Sequence, residues 1–159
     1  MKPVTQPAGH SFRVVAPPPV LFFGSFAVGV TLNAFWPLPL HVPVTLAALG
    51  AAAAGAGVLL ALWAALTFRR AGTALEPGTA AAALVTHGPY QWSRNPIYVG
   101  MAAVCAGLAL VVSTGWVLLA LAPALVAVHF GVILREEHYL SQRFPHDYPA
   151  YQARVRRWI

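Results

Sequence analysis

Two short stretches carry the residues whose types and spacing can do chemistry. The first is Arg94-Asn95-Pro96-Ile97-Tyr98, and the second is Glu136-Glu137. Asn95-Pro96 reads as a helix start, with Asn as N-cap and Pro at the first helical position, where its missing N–H has no partner to lose. Arg94 then stands just outside that helix and Tyr98 within its first turn. A guanidinium, an aromatic face and helix-terminal N–H groups suit one end of a ligand, and a carboxylate suits the other. Together they suit a zwitterionic ligand with a positive reactive centre.

The two glutamates cannot share a role, because neighbours on a helix point about 100° apart. Glu136 lies one heptad beyond His129, with Tyr139 one turn further on, so these three are expected on one polar stripe facing the interior. Glu136 is therefore the expected binding carboxylate. Glu137 shares its stripe with Phe130, Ile133 and Leu134 and is expected to support it. The plain alternative for Glu137 is an exposed pair with Arg135 or Arg143, worth little. The plain reading of His129 is a hydrogen-bonded interior histidine.

The connector leading into the first stretch is Leu84-Val85-Thr86-His87-Gly88-Pro89-Tyr90-Gln91-Trp92-Ser93. Pro89 and Pro96 bias the residues before them away from helix, and Gly88 permits a turn that a side chain would resist. It begins as a turn-rich polar segment and ends in a long apolar run.

The elements that must position these residues are membrane helices. The chain has 159 residues, 58% hydrophobic and only 9% charged, against about 25% charged in a soluble domain. No charged residue falls between Arg13 and Arg69, or between Arg94 and Arg135. About 20 apolar residues suffice to cross a bilayer. The expected fold class is an all-α integral membrane protein with four transmembrane helices, a cytoplasmic connector and a short C-terminal interfacial helix. Residues 1–159 form a single domain.

The expected spans are 20–36, 44–68, 96–112 and 116–134. Pro17-Pro18-Pro19 keeps the first helix from reaching back. The basic start and apolar run resemble a secretory signal, but Trp36-Pro37-Leu38-Pro39 is not a cleavage site, so the run is read as a retained span. In the second span Gly50, Ala54, Gly57 and Ala61 return small residues at three- and four-residue intervals, which lets a neighbouring helix approach closely. Gly55-Ala56-Gly57 lacks the third glycine and the preceding strand of a nucleotide-binding motif. From Pro96 to Leu134 the run is too long for one crossing, and Ser113-Thr114-Gly115 is the expected reversal.

All ten Lys and Arg residues fall in the N-terminal segment, the middle loop and the C-terminal tail. The two opposite connectors hold no charge, so the positive-inside rule places both termini and the middle loop in the cytoplasm. The bacterial inner membrane is the expected location. A net charge of +6 arising from membrane-flanking residues points to anionic lipid rather than nucleic acid. Cys105 is alone, so no intrachain disulfide or cysteine-rich metal site can form, and no metal site is expected. In the tail, the fourth helix should continue to Arg143 and break at Pro145. A short basic helix from Pro149 to Trp158 should follow, with Arg154, Arg156, Arg157, Tyr151 and Trp158 as a headgroup-level anchor.

Gly88-Pro89-Tyr90, Arg94-Asn95-Pro96-Ile97-Tyr98-Val99-Gly100 and Glu136-Glu137 in combination resemble the signature of the isoprenylcysteine carboxyl methyltransferase and phospholipid methyltransferase group. Phe144, Tyr148 and Tyr151 and the closing Val155-Arg156-Arg157-Trp158 resemble the end of its bacterial members. The resemblance runs from about Phe68 to the C-terminus. It implies a helical membrane enzyme that binds S-adenosylmethionine in a cytoplasmic pocket built from residues 84–100 and 135–158. It implies cofactor contacts from Leu84, Val85, Tyr90, Asn95, Pro96, Ile97, Tyr98 and Glu136, with Arg94 and Glu137 as the catalytic candidates. Most relatives have His where this chain has Asn95, and Phe144-Pro145 replaces a Phe-Gly.

The expected partners are the bilayer and a lipophilic acceptor offering a carboxylate, thiol or amine. Oligomeric state stays open, with the small-residue face of the second span available to a partner helix. Two other readings remain. One is an NADPH-dependent membrane reductase, because sterol reductases share a similar Arg-x-Pro-x-Tyr and a paired-glutamate end. The other is a non-enzymatic membrane scaffold whose motif is only a capped loop.

Overall fold

The computed structural model describes residues 16–72 and 83–159. Lys2, Arg13 and the turn expected around Glu76-Pro77-Gly78 lie outside the described residues. Among these residues there are six α-helices: α1 (Pro18–Phe35), α2 (Val44–Arg70), α3 (Pro96–Val111), α4 (Gly115–Val128), α5 (Leu134–Arg143) and α6 (Asp147–Arg154). A 3₁₀ turn occupies Gly88–Gln91, and a π-helical turn, His129–Ile133, joins α4 to α5 without a break.

Among the described residues, three helices are long and apolar enough to cross a membrane: Pro18–Phe35, Val44–Arg70 and the continuous run Gly115–Arg143. The expected third span is shorter. With 16 residues, α3 reaches about 24 Å at 1.5 Å per residue, less than the ~30 Å of hydrocarbon. Helix lengths alone therefore give three crossings where the sequence pattern predicts four.

The core is made by close approach of α2 to α3 and of α1 to α4. The spacing of Gly50 and Gly57 matches that of Gly107 and Gly100 in antiparallel register. A Cβ on Gly57 would lie 2.6 Å from the Gly100 carbonyl oxygen, and one on Gly50 would lie 2.7 Å from that of Gly107. No side chain fits there, so the backbones pack directly. The small-residue face of α2 is thus used within the chain. On the other seam, a Cβ on Gly29 of α1 would lie 2.6 Å from the Cα of Val117 in α4. Between the seams, Phe22, Tyr98, Cys105, Leu121, Val128, Val132 and Ile133 form a buried apolar cluster. Cys105 is a packing residue there, its thiol 3.6 Å from the Phe22 carbonyl.

The end of the bundle away from Arg94 is tied by polar contacts. The Thr114 hydroxyl donates to Asn33 Oδ1 at 2.8 Å, and the Leu38 N–H donates to the same oxygen at 3.0 Å. Leu40 N–H reaches the Ser113 carbonyl and Gly115 N–H the Leu38 carbonyl, each at 2.9 Å. The reversal falls at Ser113-Thr114-Gly115 as the sequence predicts. Ser113 turns the chain at φ 52°, and Thr114 caps α4 through Trp116 N–H at 3.3 Å.

Candidate active site

The connector is set by local rules. Gly88 takes φ +63°, a conformation that glycine adopts without cost. The chain then turns through Pro89 and Tyr90, whose ring packs on Phe68 of α2 at 4.8 Å. Val85, Ala64 and Tyr90 form a small buried cluster, with Ile97 against it. Leu84 is half-buried and Pro96 buried. Of the residues named for a cofactor, Val85, Tyr90 and Ile97 thus meet in one cluster against α2, while Tyr98 is buried in the cluster between the seams.

Asn95 is the N-cap residue of α3, yet its side chain makes no hydrogen bond to that helix. Its carbonyl accepts from Tyr98 N–H at 3.0 Å and Val99 N–H at 3.1 Å, and with proline at N1 that suffices. The freed side-chain amide instead donates from Nδ2 to the carbonyl of Arg157, 2.9 Å away and 62 residues later. Arg94 N–H donates to the Arg156 carbonyl at 2.9 Å. The C-terminal tail is thus fixed to the start of α3 by two backbone carbonyls.

Glu137 is the charge centre of the arrangement. Arg157 grips it with two near-parallel hydrogen bonds, Nε to Oε1 at 2.9 Å and Nη2 to Oε2 at 2.8 Å. Arg94 Nη1 approaches Oε1 from the other side at 3.2 Å. The side chains of Arg94 and Glu137 are each 10% exposed. Two guanidinium groups on one buried carboxylate leave a net positive charge. Arg94 remains unsaturated, since its Nε and Nη1 are buried without a hydrogen-bond partner. At Nη1 the ion-pair distance is short but the approach does not make a hydrogen bond.

Glu136 faces a different neighbourhood. Its carboxylate is close enough to act electrostatically on the hydroxyls of Tyr90, Tyr98 and Tyr148. It forms no hydrogen bond or ion pair among the described residues. Burial, reinforced by Glu136, holds the Tyr90 phenol above the ordinary tyrosine range. Burial and Glu137 do the same at Tyr148, with Arg94 opposing, and burial raises Tyr151. The Arg157 guanidinium is likewise held more firmly protonated by its hydrogen bonds to Glu137. These phenols stay protonated at neutral pH and act as donors rather than bases. Tyr151 uses its proton this way, donating to the Tyr90 carbonyl at 2.7 Å.

Two readings of the sequence change. The stripe expected to join His129, Glu136 and Tyr139 is broken by the π turn. A regular heptad returns to within about 20°, but a π turn adds about one residue, or roughly 100° of rotation. His129 accordingly lies against Trp158 and Phe130, and Glu136 against the tyrosines. Second, the tail is more than a surface anchor: α6 ends at Arg154, and beyond it the Arg156 carbonyl holds Arg94, Arg157 holds Glu137 and Trp158 meets His129. Arg157 and Tyr151 are site residues that side-chain patterning does not reveal, because their partners are fixed only by the fold.

These contacts bring the start of α3 and the start of α5 together at 3.2 Å. A family model described as phospholipid methyltransferase matches residues 45–147, which include Arg94, Glu136 and Glu137. The chain belongs to the phospholipid methyltransferase family. No curated protein matches it. As a member of a methyltransferase family with three membrane-length apolar helices, it joins a transferase motif to a membrane setting. Arg157 and Trp158 lie beyond the matched residues, and their contacts with Glu137 and His129 are seen only in the structure.

Proposed function

We propose that this methyltransferase-family chain uses S-adenosylmethionine to methylate a lipophilic acceptor carrying a carboxylate, thiol or amine. It sits in the membrane, a bacterial inner membrane, through four crossings, α3 being the short one. Both termini and the connector face the cytoplasm, as the confinement of every Lys and Arg to those segments supports.

The observation that carries this reading is the pairing of an incomplete cation with an incomplete anion. Arg94 holds buried N–H groups without acceptors, and Glu136 is a carboxylate without a partner among the described residues. Leaving buried polar groups unsatisfied costs about 1–3 kcal/mol each, more when charged. A ligand bearing both a carboxylate and an ammonium group removes that cost at Arg94 and supplies a partner to the half-buried Glu136. S-adenosylmethionine fits this donor set. Arg94 would hold the cofactor's carboxylate, and Glu136 its ammonium or ribose hydroxyls. Tyr90 and Tyr98 would offer aromatic faces to the positive sulfur, worth about 0.5–2 kcal/mol. Leu84, Val85, Asn95, Pro96 and Ile97 would complete the wall. When bound, the cofactor supplies an electrophilic methyl group on a sulfonium. The chain's own part is positioning. Glu137, with both oxygens engaged by arginines, aims Arg94 rather than accepting a proton.

Isothermal titration of the purified protein with S-adenosylmethionine and with NADPH tests the proposal. The expected result is binding of the first alone, weakened roughly 10- to 100-fold in Glu136→Gln. Binding of NADPH alone would turn the assignment to a reductase, and binding of neither to a scaffold.

A further inference from the structure

We infer that His129 is a hydrogen-bond donor that positions the head of the acceptor, whose chain lies in an apolar groove between α3 and α4. This rests on the proposed methylation of a lipophilic acceptor and names the residue and chemistry that select it. The groove encloses about 690 Å³, and Val99, Ala103, Ala106, Leu121 and Leu125 form its apolar walls. That volume falls within the roughly 300–1,000 Å³ of small-molecule sites. His129 and Trp158 line it beside the end of α4, so an imidazole and an indole stand among its apolar walls.

The His129 contacts decide what those rings offer. Trp158 Nε1–H donates to His129 Nδ1 at 3.2 Å. An indole is a donor only, so Nδ1 is the acceptor and the ring proton sits on Nε2. The rings stack at 14° with centroids 6.3 Å apart, and Phe130 meets the imidazole edge-on at 4.8 Å. The imidazole is thus fixed in orientation and in tautomer. Nε2–H is left with no acceptor among the described residues. A donor among the walls of an apolar groove recognises a chain ending in an acceptor oxygen, such as a carboxylate or an ester carbonyl. His129 follows Leu125 by one turn of α4 and so lies on the groove side of that helix, and the π turn that begins there separates it from the Glu136 stripe. Trp158 also adjoins Arg157, which holds Glu137, so the groove and the cofactor residues are linked through two consecutive tail residues.

The test uses the full-length protein in detergent with a diazirine-bearing long-chain fatty acid as the probe, and labelled peptides mapped by mass spectrometry. Labelling is expected on Ala103, Ala106 or Leu125 and should be displaced by palmitate. It should fall about five- to tenfold in His129→Ala, the loss of one hydrogen bond, and recover in His129→Gln, which restores an N–H donor. Ala106→Phe, which fills the groove, should abolish it. S-adenosylmethionine affinity should stay within twofold in all three variants, which also shows that they are folded. Labelling spread over the outer faces of α1 and α2, or unchanged in His129→Ala, would overturn the inference. So would a parallel loss of cofactor affinity, which would make His129 a support of the tail. The labelling needs no cofactor, so failure of the wild type to bind S-adenosylmethionine would overturn the proposed function alone.

Discussion

At the scale of single residues, the site depends on how Glu137 divides its charge. A carboxylate between two arginines is weak evidence for stability as a pair, but removing the negative partner leaves positive charge in a buried place. Glu137→Gln should therefore destabilise the protein by about 3 kcal/mol, read as a lowered midpoint in a detergent-denaturation titration. Arg157→Gln should cost less, because that side chain is 34% exposed and water screens it. The two changes should also separate in binding. Glu137→Gln releases Arg94 and should weaken S-adenosylmethionine binding, and an unchanged affinity would exclude Glu137 from positioning Arg94. Asn95 illustrates the same economy: a residue of good capping type spends its amide on the Arg157 carbonyl, since the helix start already has Pro96.

At the scale of elements, α3 is held by backbone contact rather than by interlocking side chains. Gly57→Ala places a methyl group against the Gly100 carbonyl and should cost about 1–3 kcal/mol as overpacking. Gly55→Ala, with open space around the added Cβ, should be near neutral. Unfolding midpoints of the two variants in one detergent check this, and equal midpoints would mean that α2 and α3 are not in direct contact. The precision matters because the helix start bearing Asn95, Pro96 and Tyr98 is placed by this seam. The run from α4 to α5 is placed separately, through α1 and the Asn33–Thr114 contacts at the far end. The π turn lies between those contacts and Glu137, and it sets which faces of α5 meet Arg94 and the tyrosines.

At the scale of the whole molecule, the four crossings proposed above would place the Leu38–His41 connector and the α5–α6 turn on opposite sides of the bilayer. Starting from a Cys105→Ser background, His41→Cys should react with a membrane-impermeant thiol reagent on intact cells. His146→Cys should react only after permeabilisation. Both positions are exposed in the fold. Reaction of both from the same side would give an even number of crossings between them and leave α3 as a re-entrant helix rather than a span.

The sequence by itself determined that the chain is helical and membrane-embedded, because charge-free runs and turn residues act locally. The Ser113-Thr114-Gly115 reversal, the Gly88 turn, the helix start at Pro96 and the break after Arg143 were all legible for that reason. So was the family, since Arg94-Asn95-Pro96-Ile97-Tyr98 and Glu136-Glu137 are short linear patterns. Only the tertiary structure decided which partners those residues take. Arg157 finds Glu137, Tyr151 finds the Tyr90 carbonyl, and Asn95 finds the tail, across separations of 20 to 62 residues. Periodicity assumes an unbroken α-helix, so it could not foresee the π turn that rotates His129 away from Glu136. Long-range pairing of charges depends on where helices stop and how closely backbones meet, and glycine contacts set that distance.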